Sequence, residues 1–220
     1  MVDIFTEVEE DLRRERAKQL WKRYGWIVTL ALLLVVAGTA GFQAWRWYEA
    51  REAAAASDRY LAAIRAAEAS QPEAAIADVT RLAREAPSGY RLLARFQEAA
   101  LRAGAGERDV AIALWDQLAA DQATPQPWRD LAALTAILHQ IDSGDPAALS
   151  ARLAALDRPD APFRHSAREL QALLAERQGQ RDRAVAILRG LAEEPEAPQA
   201  MRARAAEMLG ALTGAAPAGS

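Results

Sequence analysis

Cysteine is absent from all 220 residues, which removes disulfides, thiolate nucleophiles and cysteine-based metal sites together. Histidine is nearly absent too. His139 and His165 are the only two, and neither has acidic residues at ligand spacing, so a helix-surface or interface position is expected for both. No Gly-rich phosphate loop, His-Glu-x-x-His or Gly-x-Ser-x-Gly occurs. The chain therefore reads as a non-enzyme, with no catalytic residue, no cofactor and no metal site expected. An excess of one charge is also missing. There are 27 Lys and Arg against 30 Asp and Glu, a net charge of -3. Beyond Tyr48, 20 Arg face 24 Asp and Glu, so nucleic acid is not an expected partner. Carboxylate pairs such as Glu193-Glu194, beside Pro195, read as solvated surface.

What the chain has in quantity is alanine and one long uncharged run. Hydrophobic residues make up 51% of the sequence but aromatics only 6%, which favours helices packed through small faces and an all-α fold. Residues 26–45, WIVTLALLLVVAGTAGFQAW, carry no charge. At about 1.5 Å per residue they cover about 30 Å of hydrocarbon. Their Ile, Val, Leu and Phe side chains favour insertion by roughly 3 to 5 kcal/mol. Tyr24, Trp26, Trp45, Trp47 and Tyr48 bracket the run as membrane-interface anchors. Gly38-x-Ala40 has the form of a signal-cleavage site. Against cleavage, the preceding head is long and acidic, and the helical pattern continues through Trp45-Arg46-Trp47-Tyr48-Glu49, so an uncleaved anchor is expected.

Basic residues set the orientation. Arg13, Arg14, Arg16, Lys18, Lys22 and Arg23 precede the run, whereas Arg46, Arg51, Arg59 and Arg65 follow it. The bias puts the N-terminus in the cytoplasm and, in a bacterial inner membrane, the body in the periplasm. The expected division is residues 1–25 as a cytoplasmic head, 26–45 as a transmembrane helix, 46–212 as a helical repeat domain and 213–220 as a disordered tail. Within the head, Thr6-x-x-Glu9 and the recurrence of Ile4, Val8 and Leu12 mark a short amphipathic helix.

Past the run, apolar residues recur at helical spacing between Pro and Gly breaks, predicting helices over 46–70, 73–86, 89–103, 107–121, 126–142, 146–157, 161–178, 181–194 and 198–212. Three of them share alanine, then an apolar residue four on, then leucine seven on. These triplets are Ala75, Val79, Leu82; Ala111, Trp115, Leu118; and Ala184, Leu188, Leu191. Leu149, Leu153 and Leu156 follow the pattern more loosely, and Pro87, Pro125, Pro159 and Pro195 close the four units. Helix pairs repeating about every 36 residues resemble tetratricopeptide repeats, whose second helix carries a small residue at the crossing, a bulky one four on and a closing proline. Gly179-Gln-Arg-Asp-Arg-Ala184 is the closest match. The first helices depart from the family's Trp, Leu-Gly and Tyr pattern.

The head DIFTEVEEDLRRERAKQLWKRYG, one apolar span and divergent helix pairs together resemble the YfgM-type ancillary subunit family of the bacterial Sec translocon. That resemblance implies partners: Sec translocon subunits, a membrane-anchored periplasmic chaperone of the prolyl-isomerase type, and the lipid bilayer. Tyr90-Arg91, Trp128-Arg129 and Phe163-Arg164 recur near the starts of first-of-pair helices. Such helices line the groove of a repeat array, so these six residues are the candidate protein-binding positions. The expected function is a membrane-anchored protein-binding scaffold of the translocon and chaperone network. The alternative is a self-associating structural factor in envelope assembly or division, with homo-oligomers formed through apolar helix edges or the Ala37/Gly41 face.

Overall fold

The computed structural model describes the backbone of residues 3–69 and 71–214, and the side chains of Lys18, 21–69, 71–87 and 89–214. Among the described residues there are nine α-helices and no strand. They are α1 (Asp3–Glu68), α2 (Pro72–Glu85), α3 (Ser88–Gly104), α4 (Arg108–Ala120), α5 (Gln126–Gln140), α6 (Pro146–Leu156), α7 (Arg164–Arg177), α8 (Arg181–Glu193) and α9 (Gln199–Thr213). Most bounds lie within two residues of the sequence expectation. Two differ. The expected head helix, span and 46–70 helix are one continuous helix of 66 residues. No proline interrupts it, and isolated glycines cost only about 1 kcal/mol each in a helix interior. The start of α7 moves to Arg164, because Ala161 N–H bonds to the Arg158 carbonyl at 3.0 Å and holds the preceding residues in a turn.

By internal contacts the chain divides into two compact units, residues 1–55 and 56–220. In the first, the uncharged stretch of α1 keeps its large side chains on the helix surface, with Trp26, Leu34 and Phe42 each about two-thirds exposed (67%, 66% and 64%). Its hydroxyls make no demand on a solvent: Thr29 and Thr39 donate to the carbonyls of Gly25 and Val35, each at 2.9 Å. Side chains that satisfy themselves this way tolerate oil. Guanidinium groups lie over aromatic rings at both ends of the stretch, Arg23 on Tyr24 at 5.7 Å and Arg51 on Trp47 at 5.4 Å. The expected anchors Tyr24, Trp26, Trp45, Trp47 and Tyr48 are all exposed. This helix is long and apolar enough to cross a membrane, a property that a signal sequence near an N-terminus shares. The amphipathic face expected of Ile4, Val8 and Leu12 lies outside the described side chains, as residues 215–220 lie outside the described backbone.

The second unit is a stack of helix pairs closed by α9. Each second-of-pair helix buries the residues its repeat pattern selects: Ala75, Val79 and Leu82 on α2; Ala111, Trp115 and Leu118 on α4; Leu149, Leu153 and Leu156 on α6; Ala184, Leu188 and Leu191 on α8. Alanine at the head of the triplet lets a neighbouring helix approach to about 8 Å. The bulkier residues below it then fill the space between pairs.

Turns within the pairs follow from residue chemistry. Gly106 and Gly179 occupy left-handed positions after α3 and α7, at φ 86° and 72°. The next residues, Glu107 and Gln180, return N–H bonds to Arg102 and Ala175 at 2.9 and 2.8 Å, so the same glycine-dependent C-cap closes both helices. The α5–α6 turn is built differently. Asp145 caps α6 by accepting from Ala148 N–H at 3.0 Å, and Pro146 follows at the first turn, where it costs no hydrogen bond. At 11 residues α6 is the shortest helix among the described residues, and α5 reaches past it to touch α7. The loosest match in the sequence is thus the irregular unit of the stack.

Leu188 is fully buried among Ala172, Leu191, Ala197 and Ala205. Leu188→Ala should lower stability by about 3 kcal/mol, measured by urea unfolding of the full chain in detergent. Leu138→Ala, at a position 49% exposed, should cost less than about 0.5 kcal/mol.

Candidate protein-binding site

Polar side chains tie the stack at intervals that mirror the repeat. Arg95 on α3 donates to Asp121, the C-cap of α4, at 2.8 Å. Arg168 on α7 donates to Glu194, the C-cap of α8, also at 2.8 Å. Both pairs are 26 residues apart. Each clasps the first helix of a pair to the end of the second, where free carbonyls concentrate negative potential. Arg95, followed by the Ala123 N–H, holds the Asp121 carboxyl below its usual range. Links of about one full period join successive pairs: Tyr60 to Gln97 at 3.5 Å, Arg152 to Asp116, and Arg204 to Glu169.

The expectation that Glu193-Glu194 is plain solvated surface fails for Glu194. Its carboxylate is partly buried, at 20% exposure. It accepts from Arg164 at 3.4 Å as well as from Arg168, and His165 Nε2 lies 3.4 Å away. Arg164 Nε donates to that same nitrogen at 3.2 Å, so His165 is held between the arginine and the carboxylate. The 26-residue Arg-to-acid spacing does not by itself mark these clasps, because Arg81 and Glu107 share it and pair instead with Asp78 and Arg102.

The six candidate groove residues separate into different environments. Tyr90 and Trp128 are each the third residue of their helix, whereas Phe163 is the N-cap of α7. Tyr90 packs with Ala56, Leu82, Ala86 and Ala94. Trp128 lies on Phe96 with ring centroids 5.4 Å apart and a 56° tilt. The arginines are turned back onto their own junctions. Arg91 donates twice to the Ala86 carbonyl, at 3.0 and 3.2 Å. Arg164 reaches the Pro159 carbonyl at 2.9 Å and the carboxylates of Glu194 and Glu196. Arg129 bonds to the side-chain oxygens of Gln122 and Gln126.

At the α3–α5 junction, Arg91 and Trp128 contribute to one recess. A cavity of about 520 Å³ is lined by Arg91, Leu92, Arg95, Asp121, Pro125 and Trp128, among others. It offers one indole, one leucine and two guanidinium groups against a single carboxylate. Such a recess suits an apolar side chain flanked by polar backbone or an acid.

Stacked helix pairs with a repeated alanine crossing and repeated end clasps define a helical-repeat protein. The chain belongs to the tetratricopeptide repeat-like domain family, whose profile matches residues 18–189. Two crystal structures of the nearly identical TPR-like repeats of a kinesin light chain from Podosopora anserina, one of them a single-site variant, share the fold. Their TM-scores are 0.55 and 0.54, each at 19% identity over 72% of this chain and 85% of that one. No curated protein matches the sequence. Repeats of this family make the chain a protein-interaction scaffold.

Arg168→Gln breaks the clasp to Glu194 and the 2.7 Å bond to Asp157 together. Discounted for partial exposure, the loss should be about 1 kcal/mol in urea unfolding. The Arg95 clasp should also show in acid. Asp121 has a depressed folded-state pKa, so its contribution is present above the ordinary carboxylate range and fades as pH falls through the lowered value. Arg95→Gln should flatten the fall in stability below about pH 4, measured by thermal melts across pH.

Proposed function

We infer that the protein is a membrane-anchored scaffold that holds segments of partner proteins in the recess between α3 and α5. The observation that carries this reading is the half-buried Trp128 beside Leu92, Arg91 and Arg95 in a cavity of about 520 Å³, on first-of-pair helices of a repeat stack. Aromatic and arginine side chains in such recesses contribute most of the energy at protein interfaces. Residues 26–45 serve as the anchor, with 1–25 as a cytoplasmic head and 46–212 as a periplasmic repeat domain. The uncharged run supports the anchor, and the excess of basic residues before it supports the orientation. Tyr24, Trp26, Trp45, Trp47 and Tyr48 sit at the two bilayer interfaces in this reading. The head motif favours the Sec translocon and a membrane-anchored periplasmic chaperone as partners. Anchoring raises the effective concentration of such neighbours, so single contacts can be weak.

A reporter active only in the periplasm, fused after residue 60 in a bacterial host, should be active. Activity from a cytoplasmic reporter instead would overturn the orientation. Pull-downs from detergent-solubilised membranes should recover translocon subunits or envelope chaperones, and Trp128→Ala should reduce that recovery several-fold without changing the melting temperature by more than a few degrees. Recovery of neither class counts against the partner assignment, and undiminished recovery by Trp128→Ala counts against the recess.

A further inference from the structure

Trp128 and Arg129 are neighbours in sequence but line different cavities beside α5. At about 100° per residue the two point about 100° apart around the helix, and Asp130 lies about 160° from Trp128. Trp128 lines the recess toward α3, whereas Arg129, Asp130 and Ala133 line a second cavity toward α4 and α6. That cavity holds about 290 Å³ and presents three guanidinium groups, from Arg129, Arg152 and Arg158, beside a wall of Ala119, Ala155 and Leu156.

Two of the three cations already have carboxylates. Arg152 is paired with Asp116, and Arg158 lies 3.4 Å from the buried Asp130 and 3.8 Å from the exposed Asp160. Arg129 has no carboxylate partner among the described residues. Its terminal nitrogens donate to the neutral amide oxygens of Gln122, at 2.6 Å, and Gln126, and its buried Nε has no acceptor. Gln126 is itself fixed by donating to Asp130 at 2.6 Å. Neutral amides position a guanidinium without offsetting its charge, and a partly desolvated cation in that condition gains from an incoming anion.

We propose that this cavity is an oxyanion site that takes the carboxylate of an acidic segment on a partner protein, with Arg129 as its principal partner. The planar fork of arginine matches a carboxylate. The alanine and leucine wall accommodates the methylene stem of a glutamate. The volume of about 290 Å³ lies just below the range of about 300 to 1,000 Å³ for drug-sized ligands, so it fits a single acidic side chain better than a nucleotide. The site uses no residue of the α3–α5 recess and adds to that reading without depending on it.

The test uses the full chain in phosphatidylcholine nanodiscs and fluorescein-labelled hexaglutamate, read by anisotropy at low salt with hexaglutamine as control. Hexaglutamate should bind and weaken as salt rises, and hexaglutamine should not bind. Arg129→Gln should weaken binding at least about tenfold, Arg129→Lys should recover part of it, and Trp128→Ala should leave it unchanged. Should Arg129→Gln fail to fold by circular dichroism, Arg152→Gln reads the same cavity and should weaken binding likewise. Absence of hexaglutamate binding, or equal binding by wild type and the folded arginine variants, overturns the proposal. Inorganic phosphate displacing the peptide at equal concentration would assign the cavity to free anions and also overturn it. Loss of binding in Trp128→Ala alone would move the acidic ligand to the recess, leaving the scaffold reading intact and this site refuted.

Discussion

The close approach of helices at alanine is the constraint on which the second unit depends. Ala63, Ala75, Ala94, Ala99, Ala111, Ala132, Ala136, Ala167, Ala184 and Ala205 are all fully buried, spread from the end of α1 to α9. A methyl group contributes little area of its own, so these positions do not act mainly through hydrophobic burial. Their contribution is geometric. They let helix axes approach closely enough for Val79, Trp115, Leu153 and Leu188 to fill the gaps between pairs. A larger residue at any of them forces the axes apart and opens voids at several bulky neighbours at once.

A core made of thin crossings leaves each pair dependent on the next, which explains where the polar bonds fall. In a repeat stack stability is approximately a sum of terms within units and between neighbours. The two kinds of clasp map onto those two terms. Arg95 with Asp121 and Arg168 with Glu194 close a pair on itself, while Arg152 with Asp116 and Arg204 with Glu169 join one pair to its successor. The short α6 unit has a different solution. Asp157, its C-cap, accepts from Arg168 of the following helix at 2.7 Å. Arg168 thus serves its own pair and the preceding one, at the place where the repeat pattern is weakest. Arg177 reinforces the same junction by donating to the carbonyls of Ile141 and Gly144, each at 2.7 Å.

The helices and the buried triplets were legible because periodicity and the alanine spacing report directly on packing. Leu149, Leu153 and Leu156 departed from the alanine pattern, and the structure answers with an irregular pair. Continuity of α1 was half legible: the helical pattern ran on through Trp45-Arg46-Trp47-Tyr48-Glu49 and the absence of proline from 3 to 68 allowed it, but the composition change before Trp26 suggested a separate head helix. The candidate site was less legible for a physical reason. Aromatic-arginine pairs mark first-helix starts, but a long arginine side chain has several acceptors within reach, and sequence does not decide among them. Arg91 and Arg164 choose carbonyls five residues back, which no composition signal announces. Glu194 was misread as solvent-facing because its partners lie 26 and 30 residues away.

The separation of Trp128 from Arg129 has the widest bearing on how a short repeat stack can serve more than one partner. A helix between two pairs shows one side to the preceding first helix and the other to the flanking second helices. Adjacent residues on it can therefore belong to unrelated surfaces. The recess between α3 and α5 is apolar and aromatic, with Arg95 paired to Asp121 and Arg91 bonded to the Ala86 carbonyl, whereas the cavity toward α4 and α6 gathers three guanidinium groups around one buried carboxylate. Those two chemistries select different ligands, and the helix body between them keeps their distance fixed. A partner carrying an apolar anchor and an acidic stretch on a short linker would gain from both at once, because the second contact forms at the high effective concentration set by the first.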